Sequence, residues 1–130
     1  MILSETMFHN YVLDKTNKKR WIIMFDSNFD IKGKHLYLVF STLSKKYTSD
    51  SIQFAFINVS ESPLIASEYH IQTDPLSNAI PLFISFSEGE EELRIPQTVK
   101  SSFNMDLLSE SVLADLFDLP RDNQRAKKKN

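Results

Sequence analysis

Cysteine is absent from all 130 positions. Thiol–disulfide exchange starts with a thiolate attacking a disulfide sulfur, so the chain cannot perform it with its own atoms. Glycine occurs only at Gly33 and Gly89. The dinucleotide fingerprint and the P-loop each need several glycines so that backbone amides can approach phosphate, and both are excluded. The longest apolar runs cover only residues 21–25 and 36–40, far short of the ~20 residues that span a bilayer. Met1-Ile2-Leu3 has neither the basic flank nor the long apolar stretch of a signal peptide. The chain is therefore expected to be soluble as given, whether it stands alone or is one piece of a longer protein. Neither sign of charge dominates: 15 bases against 17 acids give no long-range attraction to nucleic acid or anionic lipid.

The chain does contain an apolar fraction of 42% with ten phenylalanines, enough for one aromatic-rich core. Phe25, Phe40, Phe54, Phe56, Phe83 and Phe86 are its candidate members. Residues 21–25 follow the solvated Lys18-Lys19-Arg20 and predict a strand buried on both faces. Leu36, Val39, Phe40, Leu43 and Tyr47 recur at helical spacing opposite Lys34, Ser41, Lys45 and Lys46. They predict an amphipathic helix of about fourteen residues. Residues 52–59 predict a second strand, parallel to the first across that helix.

Residues 62–69 predict a short helix, with Ser62 as its cap and Pro63 in its first turn. Asp74-Pro75 and Ser77-Asn78 mark a polar loop. Pro81 then opens the apolar run 82–86, Ser87-Glu88-Gly89-Glu90 predicts a hairpin turn, and residues 92–95 the returning strand, ended by Pro96. Ser109 is the expected cap of a last helix, with Val112, Leu113, Leu116 and Phe117 on one face and Pro120 as its stop. The expected organisation is one domain over 1–120 and a flexible basic tail over 121–130. The fold class is α/β: a mixed central sheet flanked by helices, with a parallel βαβ half, an antiparallel hairpin and a C-terminal helix.

That order, with Ile80-Pro81 ahead of a strand, resembles the thioredoxin fold. Phe29 falls where that family usually has Trp before its two-cysteine motif, and Asp30-Ile31-Lys32-Gly33 occupies the motif itself. Asp30 and Gly33 stand where the cysteines would be, and Met24 matches the buried acid that assists thiol ionisation in active relatives. Within the fold, residues 69–97 resemble the thioredoxin-related transmembrane protein 2 family more closely. The matching features are Asp74-Pro75-Leu76, Ile80-Pro81-Leu82, the Glu-Gly-Glu turn and Arg94-Ile95-Pro96-Gln97. So does the closing run Ser109-Glu110, Val112, Phe117-Asp118-Leu119 and Gln124-Arg125-Ala126-Lys127-Lys128. The chain departs from that family at Gly33, where the family keeps one cysteine, and it has none of the family's upstream membrane segments.

The resemblance implies a cis bond at Ile80–Pro81, which presents the backbone of Ile80 to an extended peptide. A cis bond that only shapes the start of the strand is the plainer alternative. Phe29 is either an exposed anchor for a partner or a core residue. His9, His35 and His70 are scattered without ligand spacing, so no metal or other cofactor is expected. No Gly-x-Ser-x-Gly elbow supports a serine nucleophile. Glu88, Glu90, Glu91 and Glu92 read as a solvated hairpin tip that discourages edge pairing. Asn58-Val59-Ser60 fits the glycosylation pattern at a strand end, where it is discounted.

The expected function is a redox-inactive thioredoxin-like interaction domain, binding a protein or extended peptide through Phe29, Asp30, Gly33, Ile80 and Pro81. Two rival readings stand beside it: an accessory to disulfide chemistry that borrows a cysteine from a partner or from sequence outside this chain, and a self-association domain forming a homodimer. Nucleic acid is not an expected partner, and a membrane is expected only through segments outside this chain. Lys127 and Lys128 match the dilysine retrieval pattern. That pattern, with the resemblance, implies an endoplasmic-reticulum membrane protein whose domain faces the cytosol, the side on which such a signal is read.

Overall fold

The computed structural model describes residues 2–16, 18–27, 33–71, 81–95 and 108–120. Four strands form one mixed sheet: β1 (Arg20–Asp26), β2 (Ile52–Asn58), β3 (Leu82–Ser87) and β4 (Glu90–Ile95), in the order β2-β1-β3-β4. β1 is central, parallel to β2 and antiparallel to β3, and β3 and β4 make the hairpin. The helices are α1 (Glu5–Met7), α2 (Gly33–Tyr47), α3 (Pro63–Glu68) and α4 (Glu110–Leu116). The mixed sheet with its flanking helices is the predicted α/β architecture.

Successive side chains of a strand point to opposite faces, so the apolar run of β1 feeds two cores at once. Trp21, Ile23 and Phe25 enter one cluster, with Phe8, Ile65, Ile84 and Phe86. Ile22 and Met24 enter the other, with Leu36, Phe40, Phe83, Leu113 and Phe117. Phe40 is the aromatic hub of the second face, with ring centroids 5.5 Å from Phe54, 5.2 Å from Phe56 and 5.6 Å from Phe83. The Ser85 hydroxyl and the Trp21 indole N–H are buried without a hydrogen-bond partner among the described residues. Each carries a desolvation cost that the surrounding apolar burial offsets.

The hairpin turns through Glu88 (φ 51°) and Gly89 (φ 83°), two successive left-handed residues that match the twist of the flanking strands. A Cβ at Gly89 would lie 2.7 Å from the Leu13 carbonyl oxygen, so both the backbone conformation and the neighbour require glycine there. β4 is longer than predicted, starting at Glu90. The pairing jumps from Ser85–Leu93 to Phe86–Glu91, which leaves Glu92 as a bulged residue. Glu91 accepts two hydrogen bonds from Arg94, at 2.9 Å each, and Glu92 accepts one from Arg20 at 2.9 Å.

In the N-terminal segment α1 runs into a π-helical turn, Phe8–Val12, that buries Phe8 and Val12. Three local expectations need correction. Ser62 precedes α3 but makes no side-chain cap; the Glu5 carboxylate accepts the Leu64 and Ile65 amides instead, at 2.7 and 3.2 Å. Ser109 does cap α4, accepting the Val112 amide at 3.3 Å. The buried face of that helix, however, is Leu113, Ala114 and Phe117, with Val112 and Leu116 open to solvent. Finally, α4 ends before Pro120 is reached, because Asp118 turns left-handed (φ 53°).

α3 and α4 stop in the same way. Past α3, the His70 amide reaches the Ser67 carbonyl at 3.3 Å and the Ile71 amide the Ala66 carbonyl at 2.7 Å. Past α4, the Asp118 amide reaches Asp115 at 3.1 Å and the Leu119 amide reaches Ala114 at 2.8 Å. Both are Schellman motifs, with His70 and Asp118 in the left-handed place that glycine usually takes.

Candidate functional site

Open α/β sheets place ligands beyond the carboxyl ends of parallel strands, where successive connections leave in opposite directions. Here that place is the end of β1. Asp26 is level with Asn58 of β2, and Phe25 with Leu82 of β3, so Pro81 comes up beside the last residues of β1. Pro81 is buried there. Gly33 is the first residue of α2, whose start lies at this same end of the sheet. Of the residues expected to form the site, the structure thus brings Gly33 and Pro81 to one end of the fold. Phe29, Asp30 and Ile80 lie outside the described residues, as do the Ile80–Pro81 peptide bond and the tail residues Lys127 and Lys128.

Of the rim residues, Asp26 and Ser27 went unnoticed in the sequence, and Asn58 and Ser60 stood out only as a discounted glycosylation pattern. The Asp26 carboxylate accepts the Ser27 amide at 2.8 Å, and the Asn58 side-chain oxygen accepts the Ser60 amide at 3.0 Å. The Ser27 and Ser60 hydroxyls face each other at 3.1 Å, tying the end of β1 to the turn that follows β2. The available signal was a short polar residue directly after each apolar run, where a strand reaches solvent. Asn58 is thereby engaged as the cap of the turn Val59–Glu61.

Beneath the rim the site is apolar. Met24 is fully buried, in one cluster with Leu36, Phe40 and Phe83. Ser62 and Ser85 are the only buried polar side chains among the described residues, so no buried carboxylate there can take a proton from a nucleophile. Of the histidines, His9 donates from Nδ1 to the Glu5 carbonyl at 2.9 Å and holds Nε2 3.3 Å from Glu68, while His35, in the first turn of α2, and His70 are exposed. No group of three or more metal-ligating side chains occurs among the described residues. Tyr69, half-buried against Phe8 and Phe86, has its phenol pushed up to about 12, chiefly by burial and then by the charges of Glu68 and Glu91.

Among the described residues, no helix is long and apolar enough to cross a membrane. No protein-family model matches the sequence. The chain is 30% identical over 118 residues to thioredoxin-related transmembrane protein 2 of Xenopus tropicalis, the match covering 89% of this chain and 41% of that protein. It is 26% identical over 118 residues to thioredoxin-related transmembrane protein 2-B of Danio rerio, covering 89% and 38%. The homolog from Drosophila melanogaster is 29% identical over 84 residues, covering 65% and 31%. The chain thus spans only 31% to 41% of the length of these relatives. Among solved structures, the thioredoxin of Malassezia sympodialis superposes with a TM-score of 0.65 at 20% identity, covering 90% of this chain and 86% of that one. The chain is a thioredoxin-like domain, related to the thioredoxin-related transmembrane proteins.

Proposed function

We propose that this domain is a redox-inactive interaction module that binds an extended peptide or a partner protein at the end of β1. The observation that carries this reading is a retained frame without reactive atoms. Pro81 is buried beside the end of β1 and α2 starts at Gly33, yet the chain has no cysteine and Met24 is an apolar core residue. A thioredoxin fold stripped of its thiolates keeps a concave sheet end and the means to hold an extended backbone, but has no nucleophile. In this reading Phe29 and Asp30 flank the bound segment, and Ile80, across a cis bond to Pro81, offers it backbone hydrogen bonds.

The test has two arms. Purified domain mixed with a disulfide substrate is expected to give no turnover above the uncatalysed rate. Titration with cysteine-free extended peptides is expected to shift the backbone amides of Ser27, Gly33, Ser60 and Leu82. Catalysed turnover, or shifts confined to the hairpin or α4, would overturn the proposal.

The relatives' names add a membrane setting. We place the domain on the cytosolic side of the endoplasmic-reticulum membrane, with Lys127 and Lys128 as a retrieval signal in a tail over 121–130. In sealed vesicles carrying the full-length protein, added protease should reach the domain and Asn58 should carry no sugar. A glycan on Asn58 would place the domain in the lumen.

A further inference from the structure

The short helix α3 is held at both ends by the N-terminal segment. At its start the Glu5 carboxylate accepts the Leu64 and Ile65 amides, at 2.7 and 3.2 Å. At its far end His9 Nε2 lies 3.3 Å from the Glu68 carboxylate. Between these points Phe8 is fully buried, meeting Tyr69 and Phe86 edge-on at 5.7 and 5.4 Å between ring centroids. Six residues are too few for a helix to persist on its own propensity. Its own cap residue offers no side-chain bond either. The order of α3 therefore depends on the segment laid across it.

We propose that residues 4–12 form a strap whose docking on α3 sets the rim of the sheet-end site. The connection is a short run of hydrogen bonds. From the Glu5-capped turn of α3 the chain steps back to Ser62, whose amide bonds the Val59 carbonyl at 3.2 Å. The turn Val59–Glu61 carries Ser60, whose hydroxyl faces that of Ser27 at 3.1 Å. Ser27 is in turn held by Asp26 at the end of β1. The polar contacts at the two ends of the strap are weak beside the burial of Phe8 and Val12, so an end can loosen while the middle of the strap stays docked. Its consequence follows by linkage: a partner that lifts the strap loosens the rim, and a partner bound at the rim tightens the strap. This consequence concerns the site of the preceding reading and rests on it. The coupling itself does not, and it is measured with no ligand added.

Amide hydrogen exchange of the full chain tests the strap. Loss of the cap in Glu5→Ala is expected to speed exchange of the Leu64 and Ile65 amides by about five- to ten-fold. The Ser60 and Ser62 amides should speed up with them, while the Leu113 amide of α4 is unchanged. Glu5→Gln, which keeps one acceptor oxygen, should fall between the two and serves if Glu5→Ala folds poorly. An increase confined to Leu64 and Ile65 would reduce Glu5 to a local cap and overturn the proposal. So would an equal increase at Leu113, which would report general destabilisation rather than coupling.

Discussion

The two faces of the sheet are assembled by different means. The face under α2 and α4 is built from signals close together in the chain: a fifteen-residue amphipathic helix, and a second helix capped by Ser109 three residues before the amide it serves. The face under α3 is assembled from pieces far apart. Its helix is capped by a carboxylate 59 residues upstream, and Phe8, from the N-terminal segment, lies in its core. Local patterning specifies the first face, whereas the second exists only once the chain has folded back on itself. Long-range closure of this kind carries more loop entropy and is earned back by burial rather than by propensity.

The largest test of this difference is Phe8→Ala. Phe8 and Phe40 are both fully buried, one on each face. Each truncation is expected to cost about 3–5 kcal/mol, read by denaturant unfolding followed through Trp21, the single tryptophan and itself buried. A loss below about 1 kcal/mol for Phe8→Ala beside a full loss for Phe40→Ala would make the strap face peripheral.

The same contrast explains what could be read in the sequence. The four strands, the long helix, the hairpin turn and the cap at Ser109 all announce themselves within a few residues, through apolar runs, helical spacing, Glu88-Gly89 or a serine before a helix. What escaped depends on distance. Ser62 has the residue type of a cap, but Glu5 does the capping. Val112 and Leu116 fit an apolar stripe at helical spacing, yet Ala114 takes the buried position because it lies between Leu113 and Phe117 on the face turned to α2 and the sheet. At the site, Gly33 and Pro81 were named through the family resemblance, whereas the Ser27–Ser60 contact joins two strand ends 33 residues apart and has no sequence signature.

A smaller effect belongs to the two helix ends. His70 and Asp118, one beside each face, hold left-handed backbone that glycine adopts without steric cost. His70→Gly and Asp118→Gly are each expected to stabilise the domain by about 0.5–1 kcal/mol in thermal or denaturant unfolding. Destabilisation by either change would mean that the native side chain contributes more than the strain it imposes.

A further effect is confined to high pH and to the strap face. The Tyr69 phenol is raised in the folded state to about 12, from an ordinary value of about 10. Folding therefore favours its neutral form. The associated stability is complete below about pH 10 and is lost as pH rises toward 12. Tyr69→Phe should flatten that part of the stability–pH curve, and an unchanged slope would remove Tyr69 as its source.

A thioredoxin fold persists here without cysteine, and the paired substitution Asp30→Cys with Gly33→Cys tests most directly whether residues 30–33 stand at its motif. If these positions occupy the motif of the fold, the two thiols lie close enough to bridge. Free-thiol titration after mild oxidation should then show both thiols consumed within a monomer, and both restored by a reductant. Two thiols that stay free, or that pair only between molecules, would contradict the assignment of the motif to residues 30–33.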